Sequence, residues 1–192
     1  MLNIAVLGST RGTDLQALLD AQAKGELTNA KISLVVSNRA DAYILERATA
    51  AGIETHCIES KGKSRSDFET ALSALLQRRK INFILLIGFM KVLSADFVKH
   101  WPQQILNIHP SLLPKYSGGM NDDVHAAVLQ NKETVTGCTL HYVTAEVDAG
   151  PIFMQQEVPV LPNDTSETLK TRVQQAEQAV LVRAVQQLGQ SA

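Results

Sequence analysis

Several residue types that mark particular classes of protein are scarce in this chain. Among its 192 residues cysteine occurs twice and tryptophan once, and aromatic residues make up 5%. Cys57 and Cys138 lie far apart in β-like apolar segments, so we expect two reduced, buried thiols and no disulfide. The sequence has no Cys-x-x-Cys pair and no His/Cys cluster with zinc spacing. It therefore predicts no metal site.

An excess of one charge and long apolar runs are lacking as well. Lysine and arginine number 18 against 19 aspartates and glutamates, a formal net charge of -1. That balance argues against a nucleic-acid binder with a basic body. No apolar run approaches the ~20 residues needed to span a bilayer, and no leader pattern precedes the first strand. We expect a cytoplasmic protein with neither a nucleic-acid nor a membrane partner.

The chain does have an ordinary globular composition, with 45% hydrophobic and 19% charged residues. In its first half, apolar runs alternate with helical patterns. The predicted strands are residues 4–7, 31–36, 54–58, 81–87 and 105–108. Helices are predicted after residue 13, over 42–51, after Ser66 as the N-cap, and over 94–101. The alternation predicts an α/β fold: a doubly wound, mostly parallel sheet with helices on both faces.

The pattern changes beyond residue 110. Residues 115–123 form a polar, Gly-rich loop, and residues 124–129 a short helix. Strands over 136–143 and 152–160 are joined by a short loop, which predicts an antiparallel or mixed edge. A long amphipathic helix opens at Ser166, and residues 189–192 are expected to fray. We interpret residues 1–192 as a single domain, with a phosphate-binding half of about residues 1–100 and a second half of about 101–192.

The strongest chemical signal lies in residues 105–114. The segment begins as a buried strand and then supplies Asn107, His109 and Pro110. Asn107 and His109 point the same way on an extended backbone. Pro110 ends the strand at the edge where open α/β sheets place their sites. Because a carboxamide beside a titratable ring can hold an oxyanion and move a proton, the segment predicts acyl-type transfer.

The loop of residues 8–13, Gly-Ser-Thr-Arg-Gly-Thr, follows the first strand and opens a helix. Backbone N–H groups at such a position favour a phosphate, with Gly12 and Thr13 nearest. The loop matches neither Gly-x-Gly-x-x-Gly nor a P-loop, so a single terminal phosphate is favoured over a dinucleotide. Asp14 would repel a phosphate unless it turns away to cap the helix. A plain tight turn is the alternative.

Three further features carry weaker signals. Asp148 could favour the imidazolium of His109 and raise its pKa, or it could simply form a turn. Residues 88–93 could line a slot for a flat heterocycle or only pack on the core. Gln174 and Glu177 are neighbours on one helix face. For that pair, exposure to solvent is favoured over contact with an amine substrate.

The other four histidines offer less. His56 and His141 lie in predicted strands, where structural or surface roles are favoured. His100 ends a helix and suits its dipole. His125 follows the Gly-rich loop and could line a pocket, although a position away from any site is favoured.

Taken together, three segments resemble those of the phosphoribosylglycinamide formyltransferases, folate-dependent enzymes of de novo purine synthesis. They are residues 88–93 (Gly-Phe-Met-Lys-Val-Leu), 106–116 and 148–151 (Asp-Ala-Gly-Pro), and the resemblance extends over nearly the whole chain. It implies a doubly wound fold that transfers the formyl group of 10-formyltetrahydrofolate, as co-substrate, to the amine of glycinamide ribonucleotide. No metal is implied.

The resemblance also implies residue roles. Asn107, His109 and Asp148 match the catalytic trio, and Gly12, Thr13 and Asp14 match the residues that hold the ribose phosphate. The positions matched to folate binding are Arg65, Met90, Lys91, Val92, Leu93 and Asn107. Those matched to the glycinamide substrate are Pro110, Ser111, Gln174 and Glu177. By this reading, the second half of the chain carries the folate and catalytic residues.

The chain departs from the family pattern in three places. Asp14 stands where Asn is usual, which bears on phosphate affinity or pose. Lys91 stands where Arg is common, and little change is expected because that position offers mainly backbone contacts. Residues 117–125 replace a Pro-Gly-Leu-His-type run, so this wall of the cleft is expected to have a different shape.

Other functions remain as alternatives. Formyltetrahydrofolate hydrolase and methionyl-tRNA formyltransferase share the trio but normally carry an extra domain. Both are less expected for a chain that begins at a strand and ends at a helix. Sugar-nucleotide formyltransferases remain, although Gln174, Glu177 and the phosphate loop argue against them. A non-catalytic nucleotide-binding module would not need the trio. The sequence leaves the oligomeric state open, a homodimer included.

Overall fold

One sheet runs through the part of the chain that the structure describes, residues 1–118 and 123–191 of a computed structural model. Its strands are β1 (Leu2–Leu7), β2 (Ala30–Ser37), β3 (Glu54–Cys57), β4 (Phe83–Leu86), β5 (Ile105–His109), β6 (Val135–Tyr142) and β7 (Ile152–Pro159). They lie in the order β3-β2-β1-β4-β5-β6-β7. Strands β1 to β5 pair in parallel, and β6 is antiparallel to both β5 and β7. The predicted mostly parallel sheet with an antiparallel edge is confirmed.

Helices cover both faces of this sheet, as predicted. They are α1 (Thr13–Ala23), α2 (Tyr43–Ala50), α3 (Arg65–Arg78), α4 (Ala95–Lys99), α5 (Val124–Gln130) and α6 (Ser166–Gln190). Ile4 and Val6 of β1 belong to a buried cluster with α1 and α6, whereas Ala5 and Leu7 belong to a second cluster with α3. Successive side chains of a strand point to opposite faces. Covered on both sides, β1 is therefore apolar at every one of these positions.

Two predicted helix ends are wrong. The N-cap of α3 is Ser64, whose hydroxyl accepts a hydrogen bond from the Asp67 N–H at 3.0 Å; Ser66 lies inside the helix. Ser64 and Ser66 both precede the same apolar face, and only the hydrogen bond distinguishes them. At the C-terminus, Gly189 is not frayed but belongs to α6 and is buried. A Cβ there would collide with the Thr28 carbonyl, so glycine lets the helix end pack on that backbone.

The two cysteines differ in exposure. Cys138 is buried in β6, as predicted, but the prediction of a buried Cys57 is wrong. Cys57 ends β3, the short strand at one edge of the sheet, and its side chain faces solvent. Among residues 1–118 and 123–191, no helix is long and apolar enough to cross a membrane.

The central pairing brings the two predicted halves of the chain into one sheet. β4, from the first half, pairs with β5, from the second, along Leu85 and Leu106. The division near residue 100 therefore stays a prediction about function rather than a visible boundary. Since β1, β4 and β5 are parallel neighbours, the loops after them meet at one edge of the sheet. The loop after β6 folds back across β5 and β6, so that part of it lies near the loops that follow β1, β4 and β5.

Candidate active site

The pairing of β5 with β6 assembles a polar group on one face of the sheet. Asn107 lies directly opposite His141, and its Nδ2 atom is 3.2 Å from Nε2 of that ring. His109, two residues beyond Asn107, points to the same face. Residues opposite one another in an antiparallel pair share a face. Sequence reasoning favours a structural or surface role for His141 and so misses it, because the strand register that brings it here cannot be read from the sequence.

Asp148 enters this group from the loop between β6 and β7. One carboxylate oxygen, Oδ2, is 3.5 Å from Nδ1 of His109, and the other, Oδ1, is 3.5 Å from Nε2 of His141. Oδ2 also accepts a hydrogen bond from the Gly118 N–H at 2.9 Å. The structure thus brings Asn107, His109 and Asp148 together, with His141 as a fourth member. Their catalytic roles stay predictions at this point.

Backbone geometry explains how Asp148 reaches the strands. The residue has a φ of 53°, a left-handed conformation that Asp adopts more readily than most residues. Two residues later, a Cβ on Gly150 would collide with the Tyr142 carbonyl. The loop can therefore turn tightly over β6 only with glycine at that position.

The charge of Asp148 is fixed by its neighbours. Its hydrogen bond with His141 is the main cause that lowers the pKa of Asp148 to about 2, and the Gly118 N–H and His109 act in the same direction against burial. Asp148 is therefore a carboxylate at any physiological pH. An ion of this kind, with a side chain only 10% exposed, stabilises positive charge on either neighbouring ring.

His109 shows the opposite balance. Burial is the largest influence and lowers its pKa, outweighing the upward effects of Asp148 and of the Tyr116 carbonyl. The predicted effect of Asp148, which raises the pKa of His109, is confirmed, but burial outweighs it and the net shift is downward. The Tyr116 carbonyl, 2.9 Å from Nε2, can only accept, so Nε2 carries the proton. Nδ1 is then free to take up a second proton beside Asp148.

The ring of His141 is also oriented by a carbonyl. Its Nδ1 donates to the Tyr142 oxygen at 3.0 Å. In the neutral ring, Nε2 therefore accepts from the Asn107 amide. In the protonated ring, the same nitrogen donates to Asp148. His141 thereby links the orientation of Asn107 to the charge of Asp148.

A cavity of about 530 Å³ opens beside this group, within the size range of small-molecule sites. Its wall includes the trio, His141, Pro110, and the predicted folate positions Met90, Lys91, Val92 and Leu93. Met90 and Val92 are each 40% exposed. Exposed apolar side chains grouped at a cavity are typical of a ligand-binding surface.

The segment of residues 88–93 is held in place by the loop after β1. The Ser9 N–H donates to the Gly88 carbonyl at 3.0 Å, and the Ser9 hydroxyl accepts from the Met90 N–H at 2.8 Å. Gly88 has a φ of 58°, a conformation suited to glycine. The Lys91 ammonium lies 5.6 Å from the centre of the Phe68 ring, a cation–π distance. These contacts tie this part of the cavity wall to the loop after β1 and to α3.

The predicted phosphate loop lies at the same sheet edge but outside the cavity wall. Gly12 has a φ of 64° and is the N-cap of α1, with no side-chain hydrogen bond at that end of the helix. A Cβ on Gly12 would collide with Ile44. Asp14 does not cap the helix; its Oδ1 atom is enclosed without a hydrogen-bond partner. Burial raises the pKa of Asp14 to about 6, with Gln178 opposing.

Two other predicted site residues do not line the cavity. The Ser111 hydroxyl is fully buried and donates to the Lys115 carbonyl at 2.6 Å. Arg65 is exposed at the first position of α3. It precedes by one turn Phe68, which stacks on Phe89. Arg65 therefore lies at the end of the helix face that supports residues 88–93.

The expectation that Gln174 and Glu177 face solvent is wrong for Glu177. Glu177 is only 5% exposed, and Gln174 is half-buried. The reason is helical spacing: Glu177 lies between the buried Val173 and Val180 on the face of α6 that packs against α1. Lys170, one turn before Gln174, lines the cavity. This face of α6 thus leads from the cavity toward the start of α1.

His125 lies in the cavity wall, so the favoured position away from any site is wrong. The residue is 7% exposed and its Nδ1 atom is buried without a hydrogen-bond partner. Burial lowers its pKa, against the smaller effect of Asp123. Residues 119–122 of the variant stretch lie outside the described residues. Within residues 1–118 and 123–191, no three His, Cys, Asp or Glu side chains group as a metal site would need.

Comparison with known proteins gives a consistent result. The sequence model described as "Formyl transferase" matches residues 2–185. The phosphoribosylglycinamide formyltransferase of Escherichia coli K12 is 41% identical over 180 residues, covering 93% of this chain and 83% of that protein. The trifunctional purine biosynthetic protein adenosine-3 of Gallus gallus is 45% identical over 96% of this chain. The chain spans 18% of the length of that avian protein.

Solved structures agree with the sequence matches. Glycinamide ribonucleotide transformylase 1 of Symbiobacterium toebii superposes with a TM-score of 0.93 at 38% identity, covering 100% of this chain and 89% of that one. Phosphoribosylglycinamide formyltransferase of Coxiella burnetii gives a TM-score of 0.93 at 42% identity, covering 99% of this chain and 88% of that one.

Proposed function

The chain belongs to the formyl transferase family, and from this premise we propose that it formylates glycinamide ribonucleotide, with 10-formyltetrahydrofolate as donor, in purine biosynthesis. The observation that carries the proposal is the convergence of Asn107, His109 and Asp148 at the wall of one cavity. An amide donor, a neutral ring and a fixed carboxylate are the groups that acyl transfer to an amine requires.

The cavity suits the folate donor. Met90, Val92 and Leu93 provide an apolar wall for a flat ring system, and the adjoining backbone can bond its edges. The formyl carbon would then lie beside Asn107 and His109. Lys91 contributes mainly through its backbone, since its ammonium lies over Phe68. Arg65 would meet a part of the donor that extends out of the cavity.

The transfer follows from these positions. The acceptor amine attacks the formyl carbon, a C–N bond forms, and the carbonyl electrons move to the oxygen, which Asn107 Nδ2 stabilises. Loss of one such donor typically costs about 3–4 kcal/mol. His109 takes the amine proton at Nδ1, where Asp148 stabilises the resulting imidazolium. The same proton goes to the folate nitrogen as the bond from that nitrogen to the formyl carbon breaks.

The acceptor would extend from this group toward α1. Gln174 and Glu177 follow Lys170 along α6 by about 6 Å and 10 Å at the usual helical rise. Gly12 and Thr13 present the N-terminus of α1 to a phosphate, and Pro110 borders the amine end. Ser111 would contribute through its backbone, because its hydroxyl is bonded to Lys115. An acceptor with an amine at one end and a phosphate at the other fits this path.

A spectrophotometric assay of folate release tests the proposal. Release from 10-formyltetrahydrofolate only when glycinamide ribonucleotide is present would support it. Release without the ribonucleotide would indicate the hydrolase, and no release at all would indicate a non-catalytic binding module. His100→Ala is a suitable control, since the hydrogen bond of the His100 ring within residues 1–118 and 123–191 is to a neighbouring carbonyl on α4. Any sugar-nucleotide formyltransferase activity would appear with that acceptor instead.

The remaining expectations concern the molecule's surroundings. We expect small-molecule substrates alone as partners and a cytoplasmic location. A homodimer stays a prediction that light scattering of the purified chain would test.

A further inference from the structure

Polar side chains hold both ends of residues 88–93, the segment that forms the apolar wall of the cavity. At one end, the Ser9 hydroxyl accepts a hydrogen bond from the Met90 N–H at 2.8 Å. At the other end, Glu69 of α3 contacts Ser94, which directly follows this segment and is the N-cap of α4. The chemistry derived above uses neither Glu69 nor Ser94, so their contact calls for an explanation.

Both carboxylate oxygens of Glu69 bind Ser94. Oε1 accepts from the Ser94 N–H at 2.7 Å, and Oε2 accepts from the Ser94 hydroxyl at 2.5 Å. Glu69 is 8% exposed, and within the described residues it forms no salt bridge. A buried carboxyl depends on its hydrogen bonds, because leaving one unmade is costly. Glu69 therefore fixes the position of Ser94 relative to α3.

The preceding residue of α3 packs on the same segment. The Phe68 ring stacks on Phe89 with 6.4 Å between ring centres, and the Lys91 ammonium lies 5.6 Å from the centre of the Phe68 ring. Phe68 and Leu93 belong to one buried apolar cluster. Apolar contacts are non-directional, whereas hydrogen bonds weaken steeply when misaligned. Glu69 thus adds the direction that the packing of Phe68 lacks.

Ser94 transmits this restraint to the cavity wall through the backbone. Its N–H belongs to the peptide bond with Leu93, which lines the cavity. Its hydroxyl donates to Glu69 and accepts from the Phe97 N–H at 3.1 Å, which caps α4. A displaced Ser94 would therefore move the end of the surface that a flat ring would contact.

We propose that Glu69 is a positioning residue for the formyl donor: through Ser94 it holds residues 88–93 in the conformation that binds the ring system of the folate. The proposal rests on the proposed function. Glu69 itself does not line the cavity. Its replacement should therefore weaken donor binding, while the acceptor path along α6 and the trio at β5 keep their geometry.

The first test compares the kinetics of Glu69→Gln with wild type. Glutamine can keep the bond from the Ser94 N–H, but its amide nitrogen cannot accept from the Ser94 hydroxyl. We expect KM for 10-formyltetrahydrofolate to rise about two- to tenfold, as loss of one hydrogen bond predicts, with kcat and KM for glycinamide ribonucleotide nearly unchanged. Asp96→Asn, which removes an exposed carboxylate from the first turn of α4, should keep both KM values. An unchanged donor KM, or equal rises in both KM values, would overturn the proposal.

A double-mutant cycle separates action through Ser94 from a general loss of stability. Ser94→Ala removes the hydroxyl but keeps the N–H, so it deletes the same hydrogen bond that Glu69→Gln deletes. We expect Glu69→Gln to change the donor KM by less than about twofold in the Ser94→Ala background. Independent, multiplying increases would overturn action through Ser94. A lower Tm without a change in donor KM would leave Glu69 a purely structural residue and would also overturn the proposal.

Two measurements on the protein without turnover distinguish failure of this proposal from failure of the proposed function. Amide hydrogen exchange should be about two- to tenfold faster over residues 88–94 in Glu69→Gln than in wild type, and unchanged in α1. Calorimetry with tetrahydrofolate should show weaker binding to the variant. If wild type binds no tetrahydrofolate, the proposed function and the donor role fail together, while exchange still decides whether Glu69 positions the wall. Unchanged exchange over residues 88–94 would overturn that positioning. Should Glu69→Gln fold poorly, Ser94→Ala gives the same two readings.

Discussion

Two aspartates at opposite ends of the candidate site show how surroundings decide the charge of a carboxyl. Asp148 lies between two imidazoles and accepts a backbone N–H bond, and its pKa falls to about 2. Asp14 has an enclosed, unbonded oxygen, and its pKa rises to about 6. Both are removed from water, so burial alone does not decide; the available partners do.

The two charge states suit two tasks. An anion beside His109 favours the imidazolium that forms when the ring takes a proton from an amine. Asp14 carries its negative charge mainly above about pH 6, so the start of α1 is less repulsive to a phosphate below that pH than above it.

Replacing His109 should give the largest effect, because it removes the group that Asp148 serves. We expect His109→Ala to lower kcat by about 10³–10⁴ and to change KM little, since general acid–base groups contribute on that scale. Steady-state kinetics with both substrates would measure it. A variant that keeps turnover within tenfold of wild type would remove the ring from the mechanism.

Asp148→Asn should lower kcat by about 10³, because the amide keeps the shape but cannot stabilise the imidazolium. Asp14→Asn is the matched control: it makes the same chemical change at the other aspartate and should leave kcat near the wild-type value at pH 7. Equal losses in the two variants would erase the functional contrast between them.

His141→Gln should lower kcat by about tenfold, because it loosens Asn107 and removes the hydrogen bond that most lowers the pKa of Asp148. The pH profile gives the sharper measurement. We expect the acid limb of kcat to move to higher pH, because His109 must be neutral to accept the proton and loses the downward effect of His141 on its pKa. A fall in kcat with an unmoved acid limb would mean that His141 acts on Asn107 alone.

Protein stability should respond to pH with opposite signs at the two aspartates. The pKa of Asp148 falls from 3.8 to about 2 on folding. The carboxylate therefore stabilises the folded state above pH 3.8, and this stabilisation is lost as pH falls through 2. The pKa of Asp14 rises from 3.8 to about 6 on folding. The stability associated with its protonated carboxyl is therefore complete below pH 3.8 and is lost as pH rises through 6.

This sign difference gives the smallest and most direct prediction. As pH rises from 4 to 8, the free energy of unfolding of Asp14→Asn should increase by about 1–3 kcal/mol relative to that of wild type. Asp148→Asn should instead be destabilised by about 1–2 kcal/mol at pH 7 and recover toward wild type in strong acid. Urea titrations across pH would measure both. If both substitutions changed the free energy of unfolding in the same direction, the contrast between the two aspartates would be contradicted.

Much of this molecule could be predicted from its sequence. The apolar runs of β1, β4 and β5 indicated a parallel sheet because strands covered on both faces show no polar alternation. Asn107 and His109 were recognisable because a two-residue spacing on a strand fixes their common direction. The family resemblance, now confirmed, rested on the same segments.

The rest depended on contacts between distant segments. His141 could be placed only through the register of β5 with β6, and Asp148 only through the fold of the loop over β6. Glu177 looked like a solvent-facing residue until the packing of α6 on α1 was known. The net direction of the His109 pKa shift depended on how deeply the ring is buried, which the local sequence does not reveal.

The contrast between the two thiols makes the native chain ready for site-specific labelling. Cys138 is enclosed and its pKa is about 12, so a maleimide dye has neither access nor thiolate there. Cys57 faces solvent on the outermost strand β3, four strand spacings or about 19 Å from β5. Burial raises its pKa too, so mildly alkaline buffer would favour attachment. A single fluorophore could therefore be attached at that border without any engineered residue near the chemistry.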